Sequence, residues 1–307
     1  LWEQWALPRA INKCKPDLLH CTSNTAPLRI QVPLILTLHD IIFLENRQGS
    51  SKSLYQNMGR CYRRLVVPRI LPKCRKIITV SHFECNRIRE TLHLPENKIM
   101  AIYNGFSNHF QPLDNIETVT QKYIPVTGYL FFLGNTDPKK NTPRTLKAYY
   151  SYLQQSNEKR PLLIADLKPE FVDEMLKETG LENIRPYLYL SGYISNTDLP
   201  FIYNGAFAFL YTSLRESFGI PLLEAMACGI PVITSDTSSM PEIGGEGAIL
   251  TDPTNERSIA AQLLLLEQDK EYYQKQSAYG LGRAKCFSWE QTARELLKLY
   301  QSTVKSK

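Results

Sequence analysis

The chain has 307 residues, of which 43% are hydrophobic and 21% charged, and 36 Lys and Arg against 30 Asp and Glu leave a net charge of +6. This is the make-up of an ordinary soluble globular protein with room for two domains. The longest apolar runs, around 32–38 and 206–211, are far too short to cross a bilayer, and no basic stretch followed by an apolar core opens the chain as a secretory signal would.

Short apolar runs alternate with helical stretches, the pattern of a parallel α/β architecture. Four strands are predicted in the first part, over 17–21, 33–38, 76–80 and 98–103. Between them, residues 60–76 carry seven Lys or Arg and no acid, interleaved with Leu65, Val66, Val67, Ile70 and Leu71. This reads as an amphipathic basic helix kinked at Pro68. Two readings stay open: a patch for an anionic membrane surface or a lipid diphosphate, or a core-facing helix whose charges are solvated. No nucleic-acid-binding module accompanies the charge. Residues 112–126 break the pattern and read as a linker. Six more strands follow, over 129–134, 162–165, 188–191, 206–211, 231–235 and 248–251. A last helix over 288–303 opens on Ser288 with Gln291 three residues on, and its apolar positions are Ala293, Leu296, Leu297 and Tyr300.

Seven scattered cysteines without a C-x-x-C pair are simplest as thiols of a reducing cytoplasm. The most informative segment is 214–243, LRESFGIPLLEAMACGIPVITSDTSSMPEI. Glu216 and Glu224 stand eight positions apart, with Ser217, Phe218 and Gly219 between them and Pro221 marking a helix start. That helix is expected to run through Met226 and stop near Gly229, ahead of a buried strand over 230–234. The amides of Phe218, Gly219 and Ile220 then face outward, where an anion such as phosphate is favoured. Two carboxylates beside an anion site suit a ligand that is part phosphate and part polyol. A nucleotide sugar has that chemistry.

The pattern E-S-F-G-x-P-x-x-E-A-M-A-C-G-x-P-V resembles the E-x7-E segment of family-4 retaining glycosyltransferases. Three further stretches resemble the same family: VPLILTLHD, ITVSHFECNRIRE with LPENKIMAIYNGF, and YLFFLGNTDPKKNTPRTLKAY. The resemblance covers nearly the whole chain. It implies a GT-B fold, α/β, with two facing Rossmann-like domains of parallel sheet, and no metal or other cofactor. The expected division is 1–123 for the acceptor-side domain, 124–287 for the donor-binding domain and 288–307 for the C-terminal helix. The chain starts mid-pattern at Leu1 and offers four strands where a Rossmann half wants about six. Roughly 60–90 residues of the acceptor domain are therefore expected to be absent.

Residue roles follow from the resemblance. Lys140, just after the strand that ends at Gly134, matches the family's phosphate-binding lysine; Asn135 stands where many members carry an arginine. His39 closes the second strand and is placed across the interdomain cleft near the transferred sugar, while Asp40 either fixes its tautomer or caps the next segment. Glu216 is assigned to sugar hydroxyls, Glu224 to the ribose, and Ile194 to the nucleobase. The implied reaction is glycosyl transfer from a nucleoside diphosphate sugar to a hydroxyl of a carbohydrate or lipid-linked acceptor, with retention, in polysaccharide or glycolipid assembly. It implies a cytoplasmic protein, peripheral on the membrane if the basic stretch serves lipid. A non-catalytic nucleotide-sugar binding fragment and a sugar-nucleotide epimerase are the rivals. A dehydrogenase is disfavoured because no G-x-G-x-x-G follows a first strand.

Overall fold

The computed structural model describes residues 2–45 and 54–305. Its elements, in chain order, are α1 (Leu7–Cys14), β1 (Leu19–Cys21), β2 (Leu34–Thr37), α2 (Leu54–Ile70), β3 (Cys74–Thr79), α3 (His82–Thr91), β4 (Ile99–Ala101) and α4 (Glu117–Thr120). They continue with β5 (Tyr129–Leu133), α5 (Thr142–Leu153), β6 (Leu162–Ala165), α6 (Pro169–Thr179), β7 (Leu188–Gly192), α7 (Leu199–Gly205) and β8 (Ala206–Tyr211). The last are α8 (Ile220–Ala227), β9 (Val232–Ser235), α9 (Met240–Gly244), β10 (Ile249–Thr251), α10 (Glu256–Gln268), α11 (Lys270–Ala284) and α12 (Trp289–Lys305). All ten strands among the described residues lie where the apolar runs predict them. Strands covered by helices on both faces read as continuous hydrophobic stretches, so they stand out in the sequence.

The chain divides into two compact units, one made of residues up to Asn104 together with α12, the other of Gly105–Ser288. In the first, four parallel strands run in the order β1-β2-β3-β4. One face of this sheet is covered by α2, whose Val66, Val67 and Ile70 are buried with Leu34, Leu36 and Ile77. The other is covered by α12, whose Leu299 is buried with Ile35, Ile78 and Ile102. Tyr300 of α12 pairs its hydroxyl with His20 Nδ1 at 2.6 Å, and His20 Nε2 meets Thr37 Oγ1 at 2.8 Å. Burial lowers the His20 pKa from its ordinary value.

Three expectations are adjusted here. The basic stretch is not one helix: α2 ends at Ile70, and residues from Cys74 onward are strand β3. Its apolar residues except Leu65 are buried in the core, and the guanidiniums of Arg60 and Arg64 both donate to the Phe43 carbonyl, at 2.9 and 2.7 Å. The core-facing reading therefore accounts for this segment. On α12 the packing face is Thr292, Leu296, Leu299 and Tyr300, while Ala293 and Leu297 are exposed.

The division between units also falls earlier than 123, because residues 105–123 pack on the second unit. Asn204 on α7 donates to the Gln111 carbonyl and accepts from the Leu113 amide, both at 2.9 Å, and Phe110 stacks edge-on against Tyr203. This polar attachment leaves no periodic signal.

The second unit has six parallel strands in the order β10-β9-β8-β5-β6-β7. Two runs of strands are laid down in opposite directions from the centre, β5-β6-β7 one way and β8-β9-β10 the other. The order reverses between β5 and β8, and at such a switch point the connections leave for opposite faces and open a crevice at the strands' carboxyl ends. Its core includes Leu130, Phe132, Leu162, Ile164, Leu210 and Ile233 on the strands and Leu146, Leu263 and Leu266 on the helices.

Candidate active site

The two loops that leave the switch point are residues 134–141 after β5 and 212–219 after β8. The first is held by its own polar residues. Thr142 Oγ1 donates to the Asn135 carbonyl at 2.7 Å, and Asp137 Oδ1 accepts from the Lys139 amide at 3.2 Å as the cap of a short 3-10 turn. Asn141, in a left-handed conformation at φ 62°, donates through Nδ2 to the carbonyls of Thr212 (3.0 Å) and Pro253 (2.7 Å). The loops are thus joined at their base, with Leu214 N donating to Lys139 O at 2.7 Å.

This joint brings Lys140 and Glu216 together. Lys140 Nζ lies 2.6 Å from Glu216 Oε1, with 25% and 14% of the two side chains exposed. At that distance and burial the pair is a charge-assisted hydrogen bond. Tyr211, at the end of β8, lies under both: the Lys140 ammonium is 5.5 Å from its ring centre. Burial first, and then the Glu216 carboxylate, push its phenol far above the ordinary value.

Glu224 sits within α8, with Tyr203 Oη donating to its Oε2 at 3.4 Å. Burial pushes this carboxyl up to about 7, against a smaller lowering by Tyr203. Gly219 precedes α8 at φ 101°, ψ 53°, a conformation closed to side-chain-bearing residues, and a Cβ there would come within 2.6 Å of Met240 Cε. In the first turn of α8 Pro221 carries no N–H and the Leu222 amide donates to the Gly219 carbonyl at 3.1 Å, so the Ile220 amide is the one without an acceptor inside the helix. Phe218 contributes backbone only, since its ring is buried edge-on against Phe287.

Gly134 has a packing reason to be glycine: a Cβ would come within 2.4 Å of Leu167 Cδ1. Asn135 is exposed beside it. Ile194, expected against a nucleobase, is 5% exposed, whereas its neighbour Tyr193 is 74% exposed. After β7 the side chain open to a planar ring is therefore Tyr193. In the first unit, His39 Nε2 donates to the Thr22 carbonyl at 2.8 Å, which places a proton on Nε2. Asp40 Oδ1 accepts from the Ile42 amide at 3.0 Å, so it caps the next segment.

Sequence reasoning passed over the residues that hold Glu216. Its carbonyl accepts from Arg215 Nη1 (3.0 Å), Ser238 Oγ (2.5 Å) and Ser239 Oγ (3.0 Å). The serines lie in the quoted segment, but their role depends on a loop folding back over 22 residues. Among the described residues no group of three or more His, Cys, Asp or Glu is placed to hold a metal ion. None of the seven cysteines is in a disulfide. No helix among the described residues is long and apolar enough to cross a membrane. An open groove of about 390 Å³, lined by Ile30, Gln31, Val32, Pro33, Lys73 and Arg75, lies at the amino ends of β2 and β3 and contains none of these site residues.

Residues 125–283 match the family described as "Glycosyl transferases group 1", and residues 1–108 match "Glycosyltransferase Family 4". The chain belongs to the group 1 glycosyltransferases. It is 29% identical over 296 residues to the O-antigen chain mannosyltransferase B of Escherichia coli, covering 95% of this chain and 76% of that one. It is 26% identical over 276 residues to the O-antigen chain mannosyltransferase RfbU of Salmonella typhimurium, covering 87% and 70%. Among solved structures, a glycosyltransferase from Rickettsia africae aligns with a TM-score of 0.74 at 18% identity, over 98% of this chain and 80% of that one. Anabaena Alr3699/HepE in complex with UDP and glucose aligns with a TM-score of 0.74 at 17% identity, over 96% and 80%. The two parallel-sheet units are thus GT-B-like, as the sequence resemblance implied.

Proposed function

We propose that this glycosyltransferase moves a glycosyl group from a nucleoside diphosphate sugar to a hydroxyl acceptor with retention of anomeric configuration, in the assembly of a polysaccharide or glycolipid. The observation that carries this reading is the Lys140–Glu216 pair at the β5/β8 switch point, 2.6 Å apart and half-sheltered from water. It sets a phosphate-binding cation and a hydroxyl-binding anion side by side, next to the amino end of α8. Two relatives bear the names of O-antigen chain mannosyltransferases, so mannose is the sugar to test first.

Lys140 and the Ile220 amide at the start of α8 neutralise the departing diphosphate. Fixed donors of this kind lower the barrier because they need no reorganisation as charge develops. Glu216 accepts hydrogen bonds from sugar hydroxyls and favours the positive charge that grows at the anomeric carbon. Glu224 accepts from the ribose, and Tyr193 offers its ring to the base. His39 is assigned to the transferred sugar on the family resemblance, with Nδ1 as its open nitrogen.

Incubation with isotope-labelled mannose donors of GDP, UDP and ADP, with product anomers read by NMR, tests the proposal. Transfer or slow donor hydrolysis with retained configuration is expected. Nucleotide binding without either reaction would leave the non-catalytic binding role in its place.

A further inference from the structure

Glu216 owes its place to a short segment that comes after the next strand. Residues 238–240 meet the donor loop 216–219 in register. Ser238 Oγ donates to the Glu216 carbonyl at 2.5 Å, and accepts from the Glu216 amide at 3.0 Å and from Arg215 Nη1 at 3.1 Å. A hydroxyl has one donor and two acceptor sites, and all three are used. Ser239, with no exposed surface, directs its Oγ to the carbonyls of Glu216 (3.0 Å) and Phe218 (3.3 Å). Met240 packs where a Cβ on Gly219 would stand.

Ser238 holds this position at φ 64°, in the left-handed region that serine enters rarely. Glycine would adopt that backbone without strain but could make none of the three bonds. A residue kept in an unfavourable conformation, with a saturated hydroxyl fastened to the backbone of one acid, has a specific task.

Resting on the donor-site reading above, we propose that Ser238 is a positioning residue for Glu216. By clamping both the amide and the carbonyl of Glu216, it fixes the direction in which the carboxylate leaves the loop, and so its approach to the transferred sugar. Ser238 makes no bond to Lys140, but Lys140 is itself paired with Glu216. The clamp therefore acts chiefly on turnover, and its loss moves nucleotide affinity only in the direction of Glu216→Gln, toward tighter binding.

The test is Ser238→Gly beside Ser238→Ala. Glycine removes the hydroxyl and relieves the backbone; alanine removes the hydroxyl and keeps the strain. Ser238→Gly is expected to lower kcat by roughly 10- to 100-fold, the scale on which misplacing a reacting group costs rate. It should leave the nucleotide Kd between that of the parent and that of Glu216→Gln, never weaker than the parent, and melt no lower than Ser238→Ala. Introduced on a Glu216→Gln background, it should lower kcat by less than about twofold further, because residues acting through one another are not additive. A kcat within twofold of the parent, or the same fold-loss on the Glu216→Gln background, overturns the proposal.

Hydrogen exchange at the Glu216 amide gives a second readout that needs no turnover. It should be protected in the parent and at least about fivefold faster in Ser238→Gly, the loss of one hydrogen bond worth about 1 kcal/mol or more. If the parent transfers no sugar and binds no nucleotide, the donor-site reading has failed. The exchange rates then still decide the clamp, and an unchanged rate at Glu216 overturns it.

Discussion

At the scale of single residues, the site is governed by how Lys140, Glu216 and Glu224 are partnered. Lys140 is already held by Glu216 at 2.6 Å, so a diphosphate bound as proposed must compete with that carboxylate for the ammonium. Glu216→Gln should accordingly have two opposite effects. It should slow transfer by roughly 10²-fold or more, the scale of a lost electrostatic catalytic group. It should also tighten binding of the bare nucleoside diphosphate by about three- to tenfold, as a pair worth ~1 kcal/mol is released. Lys140→Ala should slow transfer to the same degree while weakening the nucleotide, and calorimetry beside a transfer assay separates the two. Weaker nucleotide binding in Glu216→Gln would rule out the competition. Glu224 is a different case, a carboxyl pushed up to about 7 by burial. In the role proposed for it the ionised form accepts the ribose hydroxyls, so nucleotide affinity should fall as pH drops from 8 to 6. Stability runs the other way. A folded pKa above the unfolded value of 4.5 favours folding below about pH 4.5, and that contribution is lost as pH rises through 7. Glu224→Gln lacks this slope, so its melting temperature relative to the parent should rise between pH 5 and pH 8. A difference that stays constant with pH would show that Glu224 titrates normally.

At the scale of elements, two glycines that look alike in the sequence act differently. Gly134 follows β5 at an ordinary φ and is small because Leu167 and Ile164 crowd it. Gly219 starts α8 at φ 101° and is small because of its backbone as well as Met240. Gly134→Ala should therefore destabilise by overpacking, about 1–3 kcal/mol, with an unaltered nucleotide Kd in the folded fraction. Gly219→Ala should cost a comparable amount through strain and also weaken the nucleotide, because it turns the Ile220 amide at the start of α8. Thermal melts combined with titration calorimetry distinguish them, and equal Kd values would refute the assignment of α8 to the diphosphate. This difference marks the limit of what was legible. The strands could be read because runs such as Ala206–Tyr211 and Tyr129–Leu133 are buried on both faces. Lys140 and Glu216 could be read from their motifs, as could the start of α8 at Pro221. Their pairing could not, since it needs the strand order β6-β5-β8-β9. Nor could the clamp by Ser238, whose bonds depend on the turn taken after β9. Ile194 was placed from its motif, but which side of a loop is buried is decided by packing, and there Tyr193 is the exposed side chain.

At the scale of the whole molecule, each unit has its own core. Leu130, Ile164, Leu210 and Ile233 anchor one, and Leu34, Leu36, Val67 and Ile77 another. The chain leaves the first unit at Asn104 and returns to it with α12, so the second is one uninterrupted stretch, Gly105–Ser288. Every donor residue assigned here except His39 lies inside that stretch, including Lys140, Glu216, Glu224 and the Ser238 clamp. Residues 105–123 belong with it, since Phe110 and Leu113 are fastened to α7. A fragment cut at the expected position of 124 would lose them and leave Tyr203, the partner of Glu224, without its Phe110 neighbour. The fragment 105–288 should therefore fold on its own, bind nucleoside diphosphates with the affinity of the full chain, and transfer no sugar. At about 100 times Kd, a ligand adds ~2.7 kcal/mol of stability. For a domain of this size that is a rise in melting temperature of roughly 5–10 °C. A screen of GDP, UDP and ADP by thermal shift, run in parallel on the full chain and on 105–288, should select the same nucleotide with shifts of similar size. The fragment starting at 124 should melt several degrees lower and shift less. If no nucleotide moves either protein at millimolar concentration, the donor site is wrongly placed. If the full chain shifts and 105–288 does not, residues of the first unit contribute to nucleotide binding.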